Sequence, residues 1–289
     1  MTTPYNTEFK NIIFTRYLYS KIDVKQSLLL ALLERNYNEA LFWGYELYYS
    51  GFKHDTFIYL SNIYEFIYSF DNPSLREPFR LLVDKWKNDN SLEYNLGTII
   101  MTLSCRKYDL KHFIKSYFDF IDFEFIEISN ETNKNKKDHN LIIHLKEKDI
   151  NKYKNIKIKK PSQYLKIGCK FPIRKELNHI FNFIKVTRND FENNWLYYCR
   201  DTPYWIDKIN EFDGANDYNN KRIVFPSDTL CDKFYDKWNI EPDDQPDYIY
   251  DYCIGSPNTI QLSVCEFYNK YNQDKITIAP TLVNSIIYT

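Results

Sequence analysis

Five histidines and six cysteines are the residues of this chain best suited to acid–base, nucleophilic or metal chemistry, and neither set is arranged for it. His54, His112, His139, His144 and His179 are scattered. No His-Glu-x-x-His helix motif holds them, and no glycine-framed serine stands ready for a histidine to activate. Cys105, Cys169, Cys199, Cys231, Cys253 and Cys265 lie 12 to 64 residues apart. Zinc sites usually place two ligands within a few residues, so that one tight turn presents both. The spacing here instead predicts free, buried thiols in a reducing compartment. Six glycines leave little material for a phosphate-cradling loop, and neither a Walker loop nor a Gly-x-Gly-x-x-Gly turn is present. The expectation is a non-enzyme with no catalytic residue, no metal and no cofactor.

Charge is the more informative pattern. The chain is nearly neutral, at −1, but its charges are segregated. Between Lys134 and Lys160 ten lysines stand against Asp138, Glu147 and Asp149, a net of +7 in 27 residues. Lysines on such a stretch can neutralise phosphates and release counterions, which makes Lys154, Lys157, Lys159 and Lys160 candidate RNA contacts. The competing readings are an edge strand guarded by lysine and plain lysine drift. Arginine, the better bidentate phosphate reader, is absent there. Between Asp228 and Asp251 eight acidic residues stand against Lys233 and Lys237, a net of −6. Within this acidic segment (228–252), Glu241, Asp243, Asp244, Tyr248 and Tyr250 form a Pro-bearing stretch suited to docking on a basic partner, or to pairing with the chain's own lysines. The prolines and missing glycine do not fit a calcium loop.

Aromatic residues are abundant, with 26 Tyr and 21 Phe. They accompany Asn, Ile and Lys, while only Ala31, Ala40, Ala215 and Ala279 represent alanine. That bias is the mark of AT-rich codons, so many of the rings are expected to be core filler. The stretch Tyr37–Ser50 carries aromatics on every side, and such a helix is buried or joins an interface. Trp43, Tyr48 and Tyr49 are therefore candidate partner-binding residues, with core packing the competing role.

The elements that would position these residues are mostly helices. Apolar spacing predicts six of them between residues 24 and 121, with short connections. An Asp23/Gln26 capping box opens Val24–Arg35, and Gly51 stops the second helix. Asp55, a Ser74/Glu77 box, Ser91 and Asp109 open the next four. This is an N-terminal helical-hairpin domain, HEAT-like or a compact bundle, over 1–122. A smaller mixed α+β domain follows over 123–289. There the pattern predicts strands around 123–128, 141–145 and 153–160, a helix over Ile173–Val186, and a helix beginning at Thr202-Pro203. A strand over Lys221–Phe225 and a helix from Ser227 to Trp238 complete the assignment. The fold class is α+β, predominantly α. No apolar run approaches the roughly 18 to 20 residues needed to span a bilayer, and the N-terminus lacks the pattern of a signal peptide.

Glu39–Gly51, and Pro203–Ile206 through Glu241–Pro246, resemble an uncharacterised protein family of giant, mimivirus-like DNA viruses, whose AT-rich composition is also similar. The resemblance implies the host cytoplasm (a viral factory) or the virion as location. A helical-hairpin domain followed by charged segments is similar in layout to the scaffold subunit of the cap-binding translation initiation complex. That likeness implies viral protein partners such as a helicase or a cap-binding protein. The cap-binder docking pattern Tyr-x-x-x-x-Leu-Φ is one residue short in Tyr37–Phe42. The reading is a scaffold or adaptor, with a nucleic-acid-binding protein of viral transcription or packaging, or a structural virion component, as alternatives.

Overall fold

A computed structural model describes residues 11–111, 113–114, 142–154, 160–178, 184–256 and 259–272. The fold is predominantly helical, with thirteen α-helices and one small two-stranded sheet among the described residues. A hydrophobic core runs from Ile12 to Tyr271, on both sides of residue 122.

The N-terminal helices follow the apolar spacing. They are α1 (Lys21–Leu33), α2 (Tyr37–Tyr49), α3 (Lys53–Ile63), α4 (Arg76–Asn88) and α5 (Tyr94–Ser104). A π-helical turn, Tyr64–Tyr68, prolongs α3. The expected sixth helix begins after Asp109, whose Oδ1 accepts from the Lys111 N–H at 2.7 Å. Asn36 caps α2 by accepting from the Glu39 N–H. At its far end the Phe52 N–H reaches the Leu47 carbonyl and the Gly51 N–H reaches Tyr48. That pair of bonds is a Schellman stop, and Gly51 adopts the φ of +98° it requires.

Several expected caps are used differently. α1 starts three residues before Val24, and Asp23 and Gln26 turn inward to tertiary partners. Asp55 lies within the first turn of α3 and pairs with Lys21 at 2.6 Å and Lys25 at 3.6 Å. Ser74 belongs to a 3-10 turn (Pro73–Leu75), so α4 begins at Arg76. The fifth helix begins at Tyr94 rather than Ser91.

Every residue of α1 is buried. Its neighbours supply partners for the polar groups that burial would otherwise leave without any. Gln26 receives the Leu177 N–H on Oε1 at 2.7 Å and donates through Nε2 to the Arg174 carbonyl. Ser27 Oγ accepts from the Arg174 N–H at 2.8 Å. These bonds explain a correction. Residues 173–178 and 184–186, expected to be helical, are not. The Ile173 N–H goes to the Tyr252 carbonyl, and the Glu176 carbonyl accepts from the Leu262 N–H, both at 2.9 Å. Long-range partners have taken the groups a helix would use.

A second correction concerns the expected strand at 141–145. Residues 142–146 pair with no strand. Instead the Ile143 and Leu145 N–H groups donate to Thr102 Oγ1 at 3.1 Å and Thr98 Oγ1 at 3.0 Å. Two extended residues span about 6.6 Å and one helical i,i+4 step about 6 Å, so the two repeats match. Residues 147–153, of which only Tyr153 was expected in a strand, form α6 (Glu147–Ile150) and a 3-10 turn. The expected strand at 123–128, and residues 155–159 of the one expected at 153–160, lie outside the described residues, while residues 153, 154 and 160 are not in a strand.

The C-terminal half contains α7 (Tyr164–Gly168), α8 (Arg188–Glu192), α9 (Trp195–Tyr198), α10 (Pro203–Asn210), α11 (Asp228–Trp238), α12 (Asp247–Ile254) and α13 (Val264–Tyr271). Thr202-Pro203 opens α10 and Ser227 caps α11, as the sequence predicts. The expected strand at 221–225 is β2 (Arg222–Val224). It pairs antiparallel with β1 (Ala215–Asp217) in the register Asn216 to Ile223.

The two halves meet at the turn Phe14–Ser20, in which Leu18 takes a left-handed φ of +59°. Arg16 Nε donates to Glu46 Oε2 at 2.8 Å, Nη2 to the Tyr153 carbonyl at 2.7 Å and Nη1 to the Lys154 carbonyl at 3.1 Å. The other Glu46 oxygen accepts from the Tyr17 N–H at 3.2 Å. Burial works against the Arg16 charge, but Glu46 outweighs it and lifts the guanidinium above its ordinary pKa. Burial also raises Glu46 above the usual carboxylate range, against the pull of Arg16.

Two expectations follow for stability. Arg16→Met or Glu46→Leu alone leaves the partner charge buried and unpaired, which should cost about 3 to 5 kcal/mol each. The double variant should cost clearly less than the sum in urea melts. Asp23 is the second case. Its burial raises the pKa from 3.8 to about 6, despite Lys175 at 3.5 Å. Between those values the native state holds more protons than the unfolded chain, so this group's contribution to stability falls as pH rises from about 4 to 6. The full span corresponds to roughly 3 kcal/mol. Melts of the wild type across that window, set against Asp23→Asn, should show the fall only when the carboxyl is present.

Candidate functional site

The acidic segment is a built surface rather than a free tail. After α11 the chain turns at Glu241, with φ +49°, into a 3-10 turn (Pro242–Asp244) and then α12. Gln245 Nε2 donates to the Ile240 carbonyl at 3.2 Å and the Glu241 carbonyl at 2.8 Å, closing that turn from inside. Pro242, Gln245, Ile249, Tyr250 and Cys253 are buried. Asp243, Asp244, Asp247, Tyr248 and Asp251 are exposed, and Glu241 is half-buried. The inner positions 249, 250 and 253 and the outer positions 247, 248 and 251 are the two faces of one amphipathic helix.

Tyr250 fastens the inner face. Its ring meets Phe191 edge-on with centroids 5.2 Å apart, and the Arg188 guanidinium lies 3.9 Å from the ring centre. Its hydroxyl sits 2.8 Å from both Glu192 Oε1 and the Pro242 carbonyl, able to donate to either. Burial, reinforced by Glu192, pushes its pKa up to about 12, so it remains a protonated donor. Outside, Tyr248 is 47% exposed and meets Tyr252 edge-on at 5.7 Å. Arg188 Nη1 approaches Asp247 Oδ1 at 3.4 Å. The exposed side of this segment therefore presents one tyrosine and four aspartates, over an inner side packed into the core.

The other candidate residues lie elsewhere. Trp43 has no exposed surface; its indole N–H donates to Glu39 Oε1 at 3.1 Å and its ring meets Tyr19 at 5.0 Å. Tyr48 is equally enclosed and accepts from the Trp86 N–H at 3.0 Å. Neither offers a face to a partner. Tyr49 is half-buried, and its hydroxyl donates to Glu93 Oε2 at 2.9 Å. Lys154 joins the same carboxylate at 2.8 Å, while Arg16 holds its carbonyl. Lys154 is thus tied into the structure. Lys160 is exposed, as are Lys146, Lys148 and Lys152, and Lys157 and Lys159 lie outside the described residues. His54 and His144 are exposed and far apart in the chain, and the other three histidines are outside the description. Among the described residues no cluster of three or more His, Cys, Asp or Glu is poised to hold a metal. No described helix is long and apolar enough to cross a membrane.

Asp247 and Asp251 complete the acidic face and were not singled out in the sequence. Their i,i+4 spacing on either side of Tyr248 was the available signal. The contact between Cys169 and Cys253, at 3.4 Å, had none, because 84 residues separate them.

No protein-family model, no curated protein and no solved structure matches this chain.

The two faces of α12 should separate in mutagenesis. Ile249→Ala should cost about 2 to 5 kcal/mol by opening a cavity, whereas Tyr248→Ala should stay within about 1 kcal/mol. Thermal melts of both variants check the assignment.

Proposed function

We propose that this protein is a non-enzymatic adaptor that docks a basic macromolecular partner on the acidic, tyrosine-centred face of residues 243–251. The observation that supports this most strongly is the exposure of Asp243, Asp244, Asp247, Tyr248 and Asp251 on a segment held from below by Ile249 and Tyr250. Pre-organised carboxylates steer a cationic surface and fix its orientation, and an amphipathic tyrosine is a favoured anchor. An adaptor needs a second contact, which we assign to the outer side of the N-terminal helices, where Ile58, Phe70 and Leu81 are exposed. The resemblance to giant-virus proteins directs the search to viral partners, a helicase or a cap-binding protein among them, in the host cytoplasm or the virion.

A second reading, RNA binding by the lysine segment, draws on the exposed Lys146, Lys148, Lys152 and Lys160. It differs in its salt dependence. Each contacted phosphate on a single strand should add about −0.7 to the log–log slope, and Lys→Gln changes at Lys157, Lys159 and Lys160 should flatten it.

The docking test uses point changes, because deleting Glu241–Tyr252 would also remove Ile249 and Tyr250 from the core. Tagged full-length chain and the variant Asp243→Asn/Asp244→Asn/Tyr248→Ala/Asp251→Asn are recovered from infected cells under matched salt. The variant should keep its helical circular dichroism and one set of partners while losing a basic partner. Retention of every partner by the variant rejects the acidic face. Turnover of a nucleotide or nucleic acid by the purified protein rejects the adaptor reading.

A further inference from the structure

Beneath α12, on the side away from the acidic face, two thiols touch. Cys169 Sγ and Cys253 Sγ are 3.4 Å apart, and each lies close to the Tyr17 carbonyl oxygen, at 3.7 and 3.6 Å. Both are free cysteines and both are buried, Cys169 at 5% exposure and Cys253 at none. Their backbones are brought together by two further features. Gly168 packs directly on the Tyr17 ring, where a Cβ would stand 2.5 Å from Cδ1, so only glycine allows this approach. The Ile173 N–H is bonded to the Tyr252 carbonyl at 2.9 Å, which ties the strand of chain after Cys169 to the residue before Cys253.

We propose that Cys169 and Cys253 form a reversible intramolecular disulfide site, closed by a hydroperoxide oxidant. This inference is independent of the adaptor reading. The sulfurs already meet at van der Waals contact, and a disulfide requires closure to about 2.05 Å. The segments that carry them are hydrogen-bonded next to the pair, so closure asks for side-chain rotation rather than a new fold. Cys169, the less enclosed thiol, attacks one peroxide oxygen as its thiolate. The O–O bond breaks and the leaving hydroxide takes up the thiol's proton as water, leaving a sulfenic acid on Cys169. Cys253 then attacks the Cys169 sulfur. The S–O bond breaks, and hydroxide departs with the Cys253 proton as a second water. Two electrons pass from the sulfurs to the peroxide, and an external thiol reverses the reaction. Both thiols are buried, so closure is slower than oxidation of the exposed Cys105 and Cys265. The product pins α12 to the chain that follows α7 and closes a loop between residues 84 apart, which restricts the unfolded chain.

The full chain is treated with a few equivalents of hydrogen peroxide, quenched with catalase, denatured, alkylated and mapped without reduction. The expected product is a peptide pair joined through Cys169 and Cys253, two hydrogens lighter than the reduced pair and released by dithiothreitol. Its appearance should coincide with a rise in Tm that dithiothreitol also abolishes. Cys253→Ser should instead leave Cys169 as a sulfenic acid that a dimedone probe captures. The wild-type map decides the matter even if that variant does not fold. Recovery of both Cys169 and Cys253 as free thiols after Cys105 and Cys265 have been oxidised overturns the proposal. So does a map in which Cys169 is joined to any other cysteine.

Discussion

The Arg16–Glu46 ion pair is the constraint on which the arrangement of this chain depends. A buried charge is tolerable only when its partner and its remaining hydrogen-bonding capacity are satisfied together. Arg16 meets that condition by using its donors on three acceptors from two separate pieces of chain, the Glu46 carboxylate and the adjacent Tyr153 and Lys154 carbonyls. Glu46 meets it by taking the Tyr17 N–H as well. The Phe14–Ser20 turn, α2 and the 153–154 stretch therefore share one relative placement. Backbone bonds from Phe14 to Tyr198 and from Tyr204 to Ser50 carry the same registration into the C-terminal helices.

Around that point α1 behaves as an axle. A helix buried on every side has no solvated face, so each of its polar residues draws a partner from a neighbour. Asp23 engages Lys175, Gln26 engages the backbone at 174 and 177, and the Lys25 carbonyl accepts from the Tyr59 hydroxyl. At the far end the Tyr108 hydroxyl lies within hydrogen-bond distance of the Leu33 and Tyr271 carbonyls. The irregular segments of the C-terminal half are irregular because their backbone groups answer these demands.

The same logic shapes α12. Its inner face completes the core through Ile249, Tyr250 and Cys253, and this leaves its aspartates and Tyr248 held outward. One short helix thus carries an acidic surface on one side and a thiol contact on the other. In the adaptor role proposed above, a partner meets carboxylates whose backbone is already ordered, which lowers the entropic cost of association.

Much of the helical part was legible in the sequence. Apolar spacing found the cores of α1 to α5, Gly51 marked the end of α2, and Thr202-Pro203 and Ser227 marked the starts of α10 and α11. These signals are local, because a helix and its caps are decided by neighbours three and four residues away. The rest was not local. Asp23, Gln26 and Asp55 look like caps until partners elsewhere in the chain claim them. The apolar run at 142–145 looks like a strand until Thr98 and Thr102 offer a better-spaced set of acceptors. The acidic run was plain as composition, but which of its residues face solvent depended on where α12 docked. So the sequence by itself determined a helix-rich, aromatic-filled chain with segregated charge. Only the tertiary structure decided which polar residues are buried and with whom, because the cost of burying a polar group is set by partners that approach only when the whole chain has folded.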